Sequence, residues 1–158
     1  MDIDERFRKE LRGQRLSGSV ALSGNPMLTA IAVALLRRHA PDITVERNTA
    51  NAIVVHLYSM ESFGSAFLAA FLEGAEPPRR PLLLHTIPES ELAAFARLQG
   101  IPVIAEERDT VRQMLDRIAE RQPQTYFSLC KSALRLLPAA ERLRIPEDKA
   151  LKGARTPQ

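Results

Sequence analysis

Ser19-Val20-Ala21-Leu22-Ser23-Gly24-Asn25-Pro26, followed by the apolar run Met27 to Leu36, decides the fold class. The first four residues suit a short β-strand. Ser23-Gly24-Asn25-Pro26 makes a tight polar turn, and proline is well placed in the first turn of the helix beyond it, Pro26 to His39. That helix is apolar around nearly its whole circumference, as a deeply buried helix is, and Pro41 ends it. In a parallel sheet such a joint lies at the carboxyl end of a strand, where unpaired amides and the positive end of the helix dipole suit a phosphate. Two readings of the turn stand. Its hydroxyl and amides can hold an AMP or phosphate group, or its residues serve turn geometry and capping alone.

Further strands and helices come in alternation. Ile43-Thr44-Val45 is a second short strand, and Ala52-Ile53-Val54-Val55-His56-Leu57 reads as a strand covered on both faces. Ser59 suits the cap of a helix whose face is Met60, Phe63, Phe67, Ala70 and Phe71, and Gly74 closes it. After the stiff Glu76-Pro77-Pro78-Arg79-Arg80-Pro81 linker, Leu82-Leu83-Leu84-His85 is a buried strand and Pro88 opens a helix over Glu89 to Gln99. Ile101-Pro102-Val103-Ile104-Ala105 is expected to be an extended edge, Thr110 and Gln113 a capping-box pair. Two amphipathic helices come next, one with Val111, Met114, Leu115 and Ile118 inward, one with Tyr126, Leu129, Cys130, Ala133, Leu134 and Leu137 inward. The implied class is α/β: a three-layer domain with a mostly parallel sheet and helices on both faces, over residues 19–140. Ile3, Phe7 and Leu11 mark an amphipathic N-terminal segment within residues 1–18, which packs on the domain or on a partner chain. Residues 141–158 form a charged tail.

A chain of 158 residues, 45% hydrophobic and 26% charged, supports one domain with a genuine core. Aromatics are 5% and tryptophan is absent, so aliphatic packing dominates. Arg37 and Arg38 end the longest apolar stretch far short of the roughly 20 residues of a membrane span. The acidic start Met1-Asp2-Ile3-Asp4-Glu5 has no signal-peptide core, and a single cysteine allows neither a disulfide framework nor a cysteine zinc cage. No membrane and a reducing cytoplasm are the expectation. A net charge of +3 and a pI near 9.4 are compatible with an RNA partner only where the charge gathers on one face.

The candidate functional residues each have an ordinary structural role beside the chemical one. His56, near the end of a central strand, can face a ligand cleft or be a packed, hydrogen-bonded core histidine. Glu61 sits in the first turn of its helix, where the dipole favours a carboxylate whatever its chemistry. Cys130 falls on an apolar helix face, as a buried structural cysteine does. His39 and His85 show no metal-ligand spacing. Arg79, Arg80, Arg108, Arg112, Arg117, Arg121, Lys131 and Arg135 can track an RNA backbone or simply solvate helix faces in local ion pairs.

Three segments, over roughly residues 19–137, resemble the PP-loop ATP pyrophosphatases, in particular the tRNA 2-thiolation branch. Val20 to Pro26 lies where that family has a strand and then Ser-Gly-Gly-x-Asp-Ser. Val55-His56-Leu57-Tyr58-Ser59-Met60-Glu61 looks like its Gly-His-Asn-x-Asp-Asp-Glu helix start. Arg80-Pro81-Leu82, Ile87-Pro88-Glu89, Glu91, Phe95-Ala96 and Gly100-Ile101 are similar to its basic-Pro-Leu strand and Pro-Glu-x-Glu helix. The resemblance implies vestigial nucleotide-binding positions at Ser23, Gly24, Asn25, His56 and Glu61. It also shows what has gone. Asn25, Met27 and Leu28 stand where a glycine, an aspartate and a serine would be, and Ser59 and Met60 replace the acidic pair. The family's catalytic cysteines and zinc-binding cysteine pairs have no counterparts, and the stretch from Val45 to Ala52 is shortened. The resemblance therefore implies a degenerate, non-catalytic relative without cofactor or metal, similar to the partner subunit of the tRNA wobble-uridine 2-thiolation complex. It would bind a catalytic thiolation subunit, or a second copy of itself, and any contact with tRNA falls to the basic residues above. The alternative is a small AMP- or ATP-binding enzyme or sensor using Ser23, Gly24 and His56 in a rearranged site, the one reading that leaves room for ATP and Mg²⁺.

Overall fold

In the computed structural model, residues 2–137 are described; the expected tail at 141–158 lies outside them. Four strands, β1 (Ser19–Ser23), β2 (Thr44–Val45), β3 (Ile53–Leu57) and β4 (Leu82–Leu83), form one sheet in the order β2-β1-β3-β4. Every pairing is parallel, with Ser23 opposite His56 and His56 opposite Leu82. The helices among the described residues are α1 (Ile3–Gln14), α2 (Pro26–His39), α3 (Met60–Glu73), α4 (Glu89–Leu98), α5 (Thr110–Arg121) and α6 (residues 125–137). The expected three-layer α/β class is the observed one.

Strand alternation divides the layers. Val20, Val55, Leu57 and Leu83 pack with Phe7 of α1, with Met27, Ile31 and Leu35 of α2, and with Leu92 and Phe95 of α4. Leu82 turns to the other side, against Phe63 and Phe67 of α3 and Cys130, Ala133 and Leu137 of α6. Phe7 is fully buried, worth about 1.5–3 kcal/mol, so the N-terminal helix is part of the core. It also closes the sheet. The Gln14 carboxamide accepts from Leu82 N (2.8 Å) and donates to Leu82 O, as a neighbouring strand would. The edge of β4 is thus covered in the way exposed edges require.

That edge explains one departure from expectation. Residues 101–105 form no strand. Pro102 has no amide to offer a ladder, and Gln14 already holds the free edge of β4. Three apolar residues expected inside are outside: Phe71 is 73% exposed, and Met114 and Ile118 are each 42% exposed. On α3 it is Phe63 and Phe67 that join the cluster with α6 while Phe71 lies outside it, and α5 turns Leu115 and Arg112 inward. The amino end of β3 is open as well, with Ile53 45% exposed. The start of α5 is capped by Asp109, which accepts from Arg112 N, and not by the Thr110–Gln113 pair, since Gln113 donates to Arg108 O.

Candidate functional site

The order β2-β1-β3 makes the carboxyl ends of β1 and β3 the point where the chain switches direction across the sheet, the usual place for a ligand in an open parallel sheet. Ser23 and His56 are register partners there. Both are on the sheet face opposite Val20 and Val55, Ser23 exposed and His56 half-buried. Burial, with the positive charge of Arg79, holds the His56 imidazole below its ordinary range.

The turn between them is occupied with its own structure. Asn25 caps α2: its Oδ1 accepts from Leu28 N (2.8 Å), and its carbonyl accepts from Thr29 N and Oγ1. Gly24 is a close approach, because a Cβ there would lie 2.8 Å from Leu57 Cβ. The start of α3 is closed too. Ser59 and Ser62 form a reciprocal capping box, each side chain bonding the other's backbone amide. Glu106 then accepts from Ser59 Oγ at 3.0 Å, placing a carboxylate where the helix dipole favours an anion. Glu61 serves a different helix. Its Oε2 accepts from Glu89 N (2.8 Å) and so caps α4, whose own cap residue, Pro88, offers no side-chain bond. Burial raises its carboxyl above the usual range.

Residues 101–109 strap this end of the sheet. Ile104 N donates to Met27 Sδ over the start of α2, and Glu106 reaches the start of α3. The strap is held by Arg112, whose side chain is 3% exposed and donates to Glu106 (2.8 Å), Glu89 (2.7 Å) and Asp116 (3.3 Å). Burial works against the Arg112 charge, but the Glu106 bond and the surrounding groups outweigh it and raise its pKa. Tyr126 donates to Asp116 at 2.6 Å and lies under the guanidinium, 5.5 Å from ring centre to Cζ. Three carboxylates thus converge on Arg112, with Glu61 close enough to feel its charge. That is the wrong sign of environment for a polyphosphate. Asparagine, leucine and methionine at the first turn, with Glu106 at the second, do not fit Mg²⁺-ATP.

The basic residues are scattered by comparison. Arg112 is withdrawn from the expected RNA-facing set because it is buried among its partners. Arg108 pairs with Asp116 and Glu89, and Arg79 with Glu76. Arg80, Arg117, Arg121, Lys131 and Arg135 are exposed. Cys130 is buried, donates to Met60 O, and has its thiol pushed up to about 12, chiefly by burial. Glu106 and Arg112 as a pair escape a reading by sequence, in which Arg112 is one of a run of helix cations. So do Glu10 and Gln14. Their signal is present, since each stands three residues beyond an apolar position of α1, Phe7 and Leu11.

Parallel strands, crossover helices and a switch point between β1 and β3 define an open, doubly wound α/β fold. No family model matches the chain, and no curated protein does. Among solved structures it is similar to the U34-tRNA thiolase NcsA from Methanococcus maripaludis, determined with its 4Fe–4S cluster. The two share a TM-score of 0.50 and 11% identity over 85% of this chain and 78% of that one. At that identity the likeness is one of fold.

Proposed function

We propose that this chain is a non-catalytic partner protein in tRNA wobble-uridine 2-thiolation, a degenerate PP-loop domain that binds a catalytic PP-loop subunit. One observation carries the reading. On a fold similar to a U34-tRNA thiolase, both helix starts at the switch point are satisfied by the chain's own Asn25, Ser59, Ser62 and Glu106. The Leu28 and Ser62 amides already have acceptors from within the chain, and Glu106 adds a carboxylate beside them, which works against a phosphate at either helix start. Contact with tRNA falls to the exposed Lys131 and Arg135, one helical turn apart on α6, with Arg79 and Arg80 secondary.

The test has two arms. Affinity purification of the full chain from its native extract should recover a tRNA-thiolating enzyme, and deletion of the gene should lower 2-thiouridine in tRNA. Neither outcome being observed would sink the proposal. Calorimetry with Mg²⁺-ATP should give no heat; micromolar binding weakened by Ser23→Ala would instead favour the nucleotide-binding alternative.

A further inference from the structure

A cavity of about 490 Å³ lies at the carboxyl end of β4, away from the β1–α2 turn. Its walls come from α1 around Glu10, Gly13 and Gln14, from the β4–α4 loop at His85 and Thr86, and from the facing sides of α3 and α6. Arg80 stands at its margin, exposed. The volume falls within the roughly 300–1,000 Å³ of small-molecule pockets.

Two of its polar groups differ in kind. Glu10 is spent: it accepts from Leu84 N (2.7 Å), Thr86 N (2.9 Å) and Thr86 Oγ1 (2.6 Å). His85 is not. Only 5% exposed, it has a buried Nδ1 that makes no hydrogen bond among the described residues; Glu10 Oε1, 3.5 Å away, lies outside bonding geometry. That nitrogen is sealed from solvent and from the cavity alike, so it is the ring's carbon face and edge, not Nδ1, that the residue can offer to the cavity. Phe63 packs edge-on against the ring at 5.4 Å and fixes its place.

We propose that this cavity binds a small organic monoanion: a carboxylate beside Arg80 and an apolar body on Met60, Pro88, Phe127 and Leu134, next to the His85 ring. The charge argues for a monoanion over a polyphosphate. Arg6 is paired with Glu91 at 2.9 Å, Lys9 is engaged in an interaction of its own, and Glu10 lies in the wall, so the positive charge left for a ligand is chiefly that of Arg80. The mostly apolar lining argues for a hydrocarbon or aromatic body. The cavity opens on the α1 side of β4, though Met60 and Pro88 in its wall begin the helices whose starts also close the switch point.

Octanoate is a suitable probe, titrated into the ¹⁵N-labelled full chain, with octan-1-ol and inorganic phosphate as controls. Saturable shifts should centre on Gly13, Gln14, His85 and Thr86, with a change in the His85 imidazole ¹⁵N signals. Arg80→Glu, at an exposed position, should weaken octanoate roughly tenfold, the effect of one lost charge-assisted contact. Gly13→Leu separates binding from folding. Gly13 is helical with nothing within 4 Å of an added Cβ, so leucine should raise the Tm, obstruct the cavity and abolish the shifts. The proposal is overturned by no saturable shift at millimolar octanoate, by equal binding of octanol, by tighter binding of phosphate, or by unchanged affinity in Gly13→Leu. Shifts confined to the exposed Phe71 and Leu136 would overturn it as well.

Discussion

The two carboxyl ends of this sheet, at β1/β3 and at β4, are built from the same parts and finished in opposite ways. At β1/β3 the helix-start amides meet acceptors from within the chain, and a buried arginine ties the strap 101–109 down over the helix starts. At β4 one helix, α1, supplies the caps through Glu10 and Gln14, and its neighbours leave a hollow with an unsatisfied imidazole in the wall. The same strand-end position is thus finished closed or hollow according to which neighbouring segments pack over it and which polar groups they satisfy.

The largest effect should come from opening the closed end. Arg112→Met removes the guanidinium and leaves Glu106, 7% exposed, without its counter-charge. Stranding a buried carboxylate in this way costs about 3–5 kcal/mol, read as a fall in the urea midpoint. A loss below about 1 kcal/mol, the value of a surface pair, would mean the strap is held by something else.

At β4 the contrast shows in pH. Burial raises the Glu10 carboxyl from 4.5 to about 7 and lowers the His85 imidazole from 6.5 to about 4. For Glu10 the folded state holds the proton more tightly, so its contribution is full below pH 4.5 and lost as pH rises through about 7. For His85 the sign is reversed: the contribution is present above pH 6.5 and lost as pH falls through about 4. The two slopes oppose each other across the interval between. Glu10→Gln removes only the first. The stability of that variant relative to wild type should therefore climb by about 3 kcal/mol as pH rises from 4.5 to 7, measured by denaturation across that range. A flat difference would show that Glu10 is solvated.

Gly24→Ala tests the closed end by packing. Its Cβ would meet Leu57 Cβ at 2.8 Å, and neither strand end can easily retreat. The expected cost is about 1–3 kcal/mol, as for overpacked cores. A neutral result would mean that β1 and β3 separate freely, and the turn would again be open enough to receive a ligand.

Legibility in the sequence tracks the range of the interactions. The β1–α2 joint is readable because a proline at the helix start, a polar turn and an unbroken apolar run are local signals. The Ser59 cap and the Gly74 stop, at φ +67, are readable for the same reason. The docking of α1 is not, since Gln14 meets Leu82 and Glu10 meets Leu84 across 68 and 74 residues. Arg112 misleads because guanidinium groups are mostly solvated, and its burial depends on Glu89, Glu106 and Asp116 converging from three segments. His85 looks idle as a metal ligand. Only the packed fold shows that its Nδ1 is without a partner among the described residues.

The smallest effects separate capping from chemistry at the opening turn. Asn25→Ala deletes the acceptor of Leu28 N and should cost about 1 kcal/mol, the usual value of an N-cap. Ser23, exposed at the end of β1, has only a hydroxyl facing water, so Ser23→Ala should stay within about 0.5 kcal/mol. A phosphate-holding loop would invert that ranking in function: Ser23→Ala would abolish nucleotide binding while hardly touching the fold. Measured together, the two variants ask whether the turn is kept for what it binds or for the helix it starts. A stability loss in Asn25→Ala, with no nucleotide-binding change in Ser23→Ala, assigns it to the helix, because the Asn25 side chain then acts on Leu28 N and the Ser23 hydroxyl donates to nothing that binds.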